Sequence, residues 1–424
     1  MLDCGASKLR LESPNEFLIE LERSLRSELV EISELESDFW SMKARISWVV
    51  EGDKNTTFFH TSALMCRRRN HIVNMKDRMG NWLNNEQDIA IFIRRGFLEL
   101  FTTSYHSSFL EEWHPPFWQC ELKSEDIEKL IILVNDSEIF SALKSLKPYK
   151  APGPDGLHAR FLQCFWLILG ESVNEEVKNI FCLGRVPNYL NNTLITLIPK
   201  CKSPESFNHY RHIGLCNSVY KVVTKIIVRC IRTLLVGLLS PLQTAFVPRR
   251  KGVDNAIIVH ELINSMLEKK GKEGVMAIKI DLEKAYDCLE WSFIRDTLTL
   301  FKFPNQLISL IMSCVLSSSI SILLNGGALD PFQPSRGIRQ GDPLFPYLFI
   351  LCMEVLGVLI SEKCEAKLWD PVVASRGGLS FSHLFFANDL VLFAKADLKN
   401  CTAIKDALYT FCELSGQKVS VEKS

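Results

Sequence analysis

The chain has 424 residues, which is enough for two or three domains and a large buried core. Its 47% hydrophobic and 23% charged residues are those of an ordinary globular protein. The 49 basic and 49 acidic residues cancel, which excludes a global positive field that would attract nucleic acid and leaves only local basic clusters.

The cysteines and the apolar runs bear on the compartment. None of the 14 cysteines forms a Cys-x-x-Cys pair or a cluster with zinc spacing, so they are predicted to be small buried hydrophobes in a reducing compartment. The first twenty residues carry charges such as Asp3 and Lys8 and no apolar core, which argues against a signal peptide. The longest apolar run, 344–360, is short for a membrane span and contains Pro346 and Glu354. We expect an intracellular protein, nuclear or cytoplasmic, that is neither secreted nor membrane-bound.

The N-terminal part of the chain is predicted to be helical. Residues 15–45 place apolar side chains at helical spacing between charges, which predicts a long amphipathic helix. The basic run Arg67-Arg68-Arg69 follows an aromatic segment, residues 48–60. Such a run is typical of a solvated face, although beside aromatic residues it could also contact a nucleic-acid backbone.

A second helical region surrounds a turn rich in proline and glycine. Asp136 or Ser137 is expected to cap a helix that stops before Pro148. Residues 150–156 must then form a fixed turn, and a further helix is expected over about 159–181.

Strands and helices alternate in the second half of the chain. A strand is predicted over residues 194–198, and a helix capped by Asp254 is predicted over 254–270. Another strand over 319–324 turns at 325–327, and the loop from Ser335 to Pro343 then opens a helix near Pro346.

Polar residues at the ends of two apolar strands are the candidates for metal binding and catalysis. Asn388 and Asp389 lie between two apolar stretches and are predicted to form the tight turn of a β-hairpin. A strand over residues 275–280 ends in Asp281. Two such turns can meet at one sheet edge and hold Mg²⁺ for phosphoryl transfer, because a hard cation prefers carboxylate oxygens. Asn388 occupies a place where a second carboxylate would be expected.

Two further segments admit both a functional and a structural interpretation. Tyr286 could sense a ribose 2′-oxygen beside a metal-bound triphosphate, or it could be the first core residue of the next helix. The loop 335–343 carries two arginines, a glutamine and two glycines before a helix, a suitable place for amides and guanidinium groups to face phosphates.

Together these motifs resemble those of reverse transcriptases from non-LTR (LINE-type) retrotransposons, particularly plant ones. The motifs, in chain order, are residues 150–156, 197–200, 210–217, 243–246, 281–287, 335–343 and 386–389. The likeness extends upstream to residues 48–60 and downstream to 414–424, so it covers most of residues 40–424.

The resemblance implies an α/β (α+β) fold: the fingers and palm of a right-hand polymerase, with a mainly antiparallel palm sheet backed by helices. Residues 1–125 would be a helical N-terminal extension, and residues 126–190 a helical region that leads into the fingers. Residues 191–424 would be fingers and palm without a thumb. We expect a fragment cut from a larger element at both ends.

The resemblance also implies roles for individual residues. Asp281, Asn388 and Asp389 would be catalytic, and Asp281 and Asp389 would bind two Mg²⁺ ions, with Mn²⁺ as an alternative. The nucleotide-binding residues would be the steric gate Tyr286, together with Gln340, Arg339, Lys200 and Arg211. The partners would be an RNA template, a DNA primer and deoxynucleoside triphosphates, in an unknown oligomeric state.

Basic residues outside this set have two interpretations. Arg249, Arg250 and Lys251 would contact the nucleic-acid backbone, and Arg229 and Arg232 could join them. A solvated surface accounts for each of them equally well.

The chain departs from the family pattern in three places. Asn388 replaces an aspartate, and His212 and Phe345 stand where proline and serine are usual. We therefore expect an RNA-directed DNA polymerase domain with impaired catalysis. The alternatives are an inactive remnant that only binds nucleic acid, or a magnesium phosphodiesterase that uses Asp281, Asp287 and Asp389.

Overall fold

The computed structural model describes residues 16–44, 56–103, 120–130, 134–269, 274–373 and 378–424. The chain divides into two compact units, Met1–Val73 and Asn74–Ser424. The boundaries predicted near residues 125 and 190 both fall inside the second unit.

The first unit contains two helices, α1 (Glu16–Ala44) and α2 (Thr56–Asn70). The long helix predicted over 15–45 is thereby confirmed across its described residues. The rings of Trp40 and His60 pack edge to face, with centroids 4.3 Å apart. Arg67, Arg68 and Arg69 are exposed in the last turn of α2, where positive charge offsets the negative end of the helix dipole.

The second unit alternates strands and helices. Its helices are α3 (Glu86–Phe101), α4 (Ser124–Lys129), α5 (Asp136–Lys144), α6 (Ala159–Cys164), α7 (Trp166–Leu183), α8 (Ser218–Leu238), α9 (Gly252–Glu268), α10 (Trp291–Leu300), α11 (Asn305–Leu316), α12 (Phe345–Glu365) and α13 (Leu398–Ser415). Its strands are β1 (Met75–Lys76), β2 (Trp82–Leu83), β3 (Asn192–Pro199), β4 (Tyr210–Cys216), β5 (Val275–Asp281), β6 (Ser319–Leu324), β7 (Gly327–Ala328), β8 (Val372–Val373), β9 (Ser380–Phe381), β10 (His383–Phe386) and β11 (Asp389–Lys395).

Two sheets form the framework of the second unit. One is antiparallel with the strand order β10-β11-β5, and the other has the order β4-β3-β6-β7, in which β3 and β6 run parallel. Two short strand pairs, β1-β2 and β8-β9, complete the described sheets. The expected mixture of helices with mainly antiparallel strands is confirmed.

Helix α12 lies at the centre of the core. Its residues are apolar on every side, and nearly all of those from Phe345 to Ile360 are buried. Length and composition alone would let this helix cross a membrane, but 72% of its apolar window is buried inside the protein. Burial against neighbouring helices and strands therefore accounts for the apolar run.

Tertiary contacts move several predicted helix ends. Helix α5 is capped by Asn135 rather than Asp136, through a capping box with Glu138. Helix α9 begins at Gly252 rather than Asp254, and Gly252 packs so closely under the ring of Phe386 that a Cβ there would lie 2.5 Å from the ring. The apolar periodicity of 159–181 continues across a break between α6 and α7 and so did not predict it.

The cysteine prediction holds only in part. The cysteines of the described residues are free thiols, and Cys216, Cys288, Cys314 and Cys352 are buried as expected. Five others are exposed, so the prediction that the cysteines are buried was wrong for Cys66, Cys164, Cys182, Cys201 and Cys401.

Candidate active site

The two predicted carboxylates stand opposite each other at the end of the antiparallel sheet. Asp281, the last residue of β5, is the direct partner of Asp389, the first residue of β11. The Cβ atoms of such partners lie roughly 5 Å apart on the same face of a sheet. Both carboxylates can therefore reach one cation.

The predicted hairpin is confirmed, but its turn lies one residue earlier than predicted, because Asp389 already belongs to β11. Phe386 pairs with Asp389, which leaves Ala387 and Asn388 as a two-residue turn. Ala387 has a φ of 55°, in the left-handed region that non-glycine residues seldom adopt. Asn388 is half-buried, and Asp389 is exposed.

A cavity of about 460 Å³ adjoins the strand ends. Five of the predicted site residues line it: Asp281, Tyr286, Arg339, Gln340 and Asn388. The cavity is also lined by Lys284 and Lys423, which sequence reasoning did not single out. Both lysines lie within segments that carried the family resemblance, so the signal was present but was not assigned to a side chain.

Tyr286 both lines the cavity and packs against the core, while its predicted contact with a ribose stays a prediction. Its ring stacks on Phe349 with centroids 4.6 Å apart and planes 16° from parallel, so part of the ring belongs to the core. Burial raises the pKa of Tyr286 to about 12, so the phenol is neutral at physiological pH. The residue lies in a turn rather than in a helix, because the next helix, α10, begins only at Trp291.

The loop 335–343 is held in place by backbone contacts that require glycine. Gly337 has a φ of 83°, and a Cβ there would lie 2.4 Å from the carbonyl oxygen of Asp287. Gly341 has a φ of 111°, and a Cβ there would lie 2.6 Å from the carbonyl oxygen of Gly214. The Gly214 amide donates to the Gln340 carbonyl at 2.6 Å, which fixes the loop against β4.

Arg339 does not present its guanidinium to the cavity. The side chain is 3% exposed and donates to Asn191, Thr193, Tyr220, Cys314 and Asp342. These contacts occupy the guanidinium fork with protein acceptors. The prediction that Arg339 contacts the nucleotide is corrected: the side chain holds the loop in place.

Lys284 and Lys423, the two lysines that line the cavity, interact electrostatically with Lys200. Burial lowers the pKa of Lys200, and the positive charges of Lys423, Arg211 and Lys284 lower it further. The pKa of Lys200 thus responds to three other positive charges, those of Lys423, Arg211 and Lys284. Lys200 follows β3, and its ammonium group donates to the Asn208 carbonyl at 2.9 Å. The predicted pair Lys200 and Arg211 is thus joined by two lysines from other motifs.

Asp287 lies apart from the paired aspartates. Its side chain is buried and faces His212, with Oδ2 at 3.5 Å from Nδ1. Neither Asp287 nor Asp389 lines the cavity, but Asp389 is the direct strand partner of Asp281 and Asp287 is not. The phosphodiesterase interpretation, which needs Asp287 beside Asp281 and Asp389, is therefore disfavoured. His212, which stands where the family usually has proline, thus has a structural partner in Asp287.

The three basic residues 249–251 differ in their contacts. Arg250 donates to the carbonyls of Ser240, Gln243, Val236 and Leu239, at the C-terminal end of α8. The prediction that Arg250 contacts nucleic acid is therefore wrong, because its guanidinium caps a helix and holds a loop. Arg249 and Lys251 are exposed, as are Arg229 and Arg232 on α8, and their contacts with nucleic acid stay predictions.

The oxygen donors at the strand ends fit a hard divalent cation. No group of three or more His, Cys, Asp and Glu side chains that could hold a metal occurs in the described parts of the chain. Asp281, Asp389 and the Asn388 carbonyl provide only oxygen donors. A few carboxylates completed by water and substrate phosphates are how proteins hold Mg²⁺.

The last ten residues brace the Asp281 segment. The Ser420 amide donates to the Asp281 carbonyl at 2.8 Å, and the Glu283 amide donates to the Lys418 carbonyl at 2.8 Å. Gln417 is buried, and its Nε2 donates to the Ala285 carbonyl at 2.7 Å. This pairing brings Lys423 to the cavity.

The fold and the site define a class of protein. Residues 198–424, more than half of the chain, match the family described as reverse transcriptase (RNA-dependent DNA polymerase). The chain belongs to this family.

Curated relatives narrow the class. The chain is 23% identical over 385 residues to the Transposon TX1 uncharacterized 149 kDa protein of Xenopus laevis, covering 90% of this chain and 29% of that protein. It is 25% identical over 304 residues to the retrovirus-related Pol polyprotein from type-2 retrotransposable element R2DM of Drosophila melanogaster, covering 70% and 26%. An uncharacterized mitochondrial protein of Arabidopsis thaliana is 45% identical over 67 residues, covering 16% and 55%.

These relatives confirm the resemblance to non-LTR retrotransposon reverse transcriptases. The chain spans between a quarter and a third of the length of the Xenopus and Drosophila proteins. The special likeness to plant elements stays a prediction.

Proposed function

We propose that residues 191–424 are the fingers and palm of an RNA-directed DNA polymerase in which Asn388 impairs catalysis. The observation that carries this proposal is the pairing of Asp281 with Asp389 at a cavity lined by Tyr286, Gln340 and Asn388. RNA template, DNA primer and deoxynucleoside triphosphates would be its substrates.

Divalent metal ions generally serve reverse transcriptases, and Mg²⁺ is the ion that the donors at this site suit best. Asp281, Asp389 and the Asn388 carbonyl would hold it. When bound, the metal would neutralise charge on the attacking and leaving oxygens of nucleotidyl transfer.

Asn388 reduces the negative charge of the site. A carboxylate and a divalent ion about 4 Å apart attract by roughly 8 kcal/mol at an effective dielectric constant of 20. If relaxation and the remaining aspartates recover half of this energy, the deficit corresponds to roughly a thousandfold in rate.

The other cavity residues would bind and select the nucleotide. Lys200, Arg211, Lys284 and Lys423 would attract the triphosphate, because each of its phosphates carries negative charge. The Tyr286 ring, fixed by its stacking on Phe349, would stand against the sugar and exclude a ribose 2′-hydroxyl. Gln340 would lie beside the nucleotide and template.

Primer extension tests the proposal. The unmodified chain and the Asn388→Asp variant would receive an RNA template, a DNA primer and deoxynucleotides with Mg²⁺. We expect little extension by the unmodified chain and an increase on the order of a thousandfold in the variant. Mn²⁺ binding, followed by electron paramagnetic resonance, should also tighten in the variant.

The matched control adds Asp281→Asn to the Asn388→Asp variant, which keeps the number of carboxylates constant. Extension should then return to the background level, because residue 281 no longer provides a carboxylate opposite Asp389. Robust extension by the unmodified chain would contradict the impairment, and no gain from Asn388→Asp would contradict the role of residue 388.

A binding protein without catalysis is the second candidate. It is favoured by one observation, namely that the cation cluster is present while a metal-binding carboxylate is replaced. Salt-sensitive RNA binding by both the unmodified chain and the Asn388→Asp variant, with incorporation by neither, would select this function.

A further inference from the structure

A loop between α8 and α9, residues 239–251, runs alongside the catalytic hairpin. The Phe385 amide of β10 donates to the Leu242 carbonyl at 2.9 Å, and the Thr244 amide donates to the Phe385 carbonyl at 3.2 Å. Asn255 of α9 donates to the same Phe385 carbonyl at 2.9 Å. The loop therefore pairs with β10 as a short additional strand, which we call the bracing loop.

One side chain of the bracing loop reaches the turn itself. Gln243 is 1% exposed, and its Oε1 accepts from the Ala245 amide at 3.0 Å and from the Ala387 amide at 3.3 Å. Its Nε2 is buried and has no hydrogen-bond partner among the described residues. The hydrogen bonds of this side chain are thus made by its oxygen alone.

The turn needs such support. Ala387 has a φ of 55°, whereas a two-residue hairpin turn with positive φ at its first residue usually has glycine there. An alanine in the left-handed region is strained and persists only where its surroundings fix it. The hydrogen bond from the Ala387 amide to Gln243 holds the residue that immediately precedes Asn388.

We propose that Gln243 is a positioning residue for the metal-binding turn, through the hydrogen bond between its Oε1 and the Ala387 amide. This inference rests on the proposed function only in taking the turn to be part of a metal-binding site. Gln243 contacts neither substrate nor metal. It acts by fixing the backbone of Ala387 and thereby the orientation of the next two residues, Asn388 and Asp389.

The bracing loop is itself anchored at its base. Arg250 donates to the Gln243 carbonyl at 2.7 Å and to the Leu239 carbonyl at 2.9 Å. The Ser240 amide donates to the buried carboxyl of Glu354 on α12 at 3.0 Å. These contacts connect Gln243 to α12, the central helix of the core. The hairpin turn is therefore held by a rigid element rather than by a free loop.

Hydrogen exchange measures the contact directly. The Ala387 amide would be followed by NMR or by peptide-level mass spectrometry in the full chain, without metal or substrate. In Gln243→Met, which keeps the length and burial of the side chain but removes the acceptor, exchange should rise about three- to tenfold, as expected for one lost hydrogen bond. Gln243→Glu, which keeps an oxygen at the same place, should restore most of the protection.

Thr244→Val is the matched control. Thr244 is the adjacent buried residue, and its hydroxyl has no hydrogen-bond partner among the described residues, so the change removes a polar atom without removing a contact. Its Ala387 exchange should equal that of the unmodified chain. Global unfolding in urea would be recorded for every variant, so that a general loss of stability is separated from a local change at the turn.

Mn²⁺ affinity, measured in the Asn388→Asp background, links the contact to the site. It should fall about three- to tenfold in Gln243→Met and recover in Gln243→Glu. Unchanged Ala387 exchange in Gln243→Met would overturn the proposal, and so would a faster exchange that leaves Mn²⁺ affinity unchanged. If no variant binds Mn²⁺ at all, the proposed function fails, while the exchange data still decide the contact between Gln243 and the turn.

Discussion

Arg339 shows how far one residue can depart from its sequence-based assignment. The loop motif around it indicated contact with nucleotide and template, yet its guanidinium is buried among protein acceptors. Nothing in the loop sequence reveals this, because Asn191, Tyr220 and Cys314 come from distant parts of the chain. Gln340, the next residue, does line the cavity, and its contact with nucleotide and template stays a prediction.

Arg339→Met should therefore destabilise the fold. The change leaves the buried Asp342 carboxylate without its cation, and we expect a loss of about 3–5 kcal/mol in the free energy of unfolding. Urea denaturation measures this loss. Adding Asp342→Leu should recover part of it, and Gln340→Met should change stability by less than about 0.5 kcal/mol. An unchanged urea midpoint for Arg339→Met would contradict the structural role.

Among the secondary-structure elements, α12 carries an ionisable group into the core. Burial raises the pKa of Glu354 from 4.5 to about 7, while the Ser240 amide and the charge of Arg250 oppose this rise. Glu354 and His383 of β10 both lie beside Gly357, within 3.7 Å of where a Cβ on that glycine would be, and burial lowers the pKa of His383 to about 4. The imidazole of His383 is therefore neutral at pH 7, whereas the carboxyl of Glu354 is about half protonated there.

Glu354 gives a pH dependence with a defined sign. Between pH 4.5 and 7 the unfolded carboxyl is ionised while the folded one keeps its proton, so the native state binds more protons and stability falls as pH rises. Glu354→Gln should remove this fall, which we expect to be on the order of 3 kcal/mol across the window. Urea unfolding of both proteins at several pH values measures it. His383 titrates in both proteins and cancels in the difference. Parallel pH profiles would contradict the assignment.

The elements were more predictable than their ends. The strand that ends in Asp281, the hairpin at Asn388 and the helix near Pro346 follow from local apolar patterns and turn residues. The start of α9 does not: Lys251 is its N-cap without a side-chain hydrogen bond, and Asp254 lies within the first turn. The bracing role of Gln243 was equally hidden, since its partner lies at residue 387 and only the fold brings the two together.

At the scale of the whole molecule, the balanced charge was a poor guide to partners. The 49 basic and 49 acidic residues suggested no attraction for nucleic acid, yet the chain belongs to a family of nucleic-acid polymerases. Two lysines from separate motifs, Lys284 and Lys423, nevertheless line the cavity, and their charges lower the pKa of Lys200 from a third motif. Net charge averages over such clusters and conceals them.

Salt dependence can separate the basic residues that contact nucleic acid from those that stabilise the fold. If Arg249 and Lys251 contact phosphates, replacing either with glutamine should reduce the slope of log K against log salt for RNA binding by about 1. Arg250→Gln should lower stability instead and leave the slope unchanged, because its guanidinium is bound to backbone carbonyls. Fluorescence anisotropy with a labelled RNA at several salt concentrations measures the slopes. Equal slopes for all three variants would assign Arg249 and Lys251 to the solvated surface.

Because the turn between β10 and β11 has only two residues, a substitution within it leaves the strand pairing intact, whereas an insertion or deletion beside it does not. Exchanging Asn388 for aspartate alters one terminal atom and leaves every strand pairing in place. Losing or gaining a residue in β11 would instead bring Leu390 or the turn itself opposite Asp281, since side chains alternate between the two faces of a strand. A substitution at residue 388 therefore changes the donor atoms of the turn without moving the strands, whereas a one-codon deletion in β11 would disrupt both the strand pairing and the core beneath it.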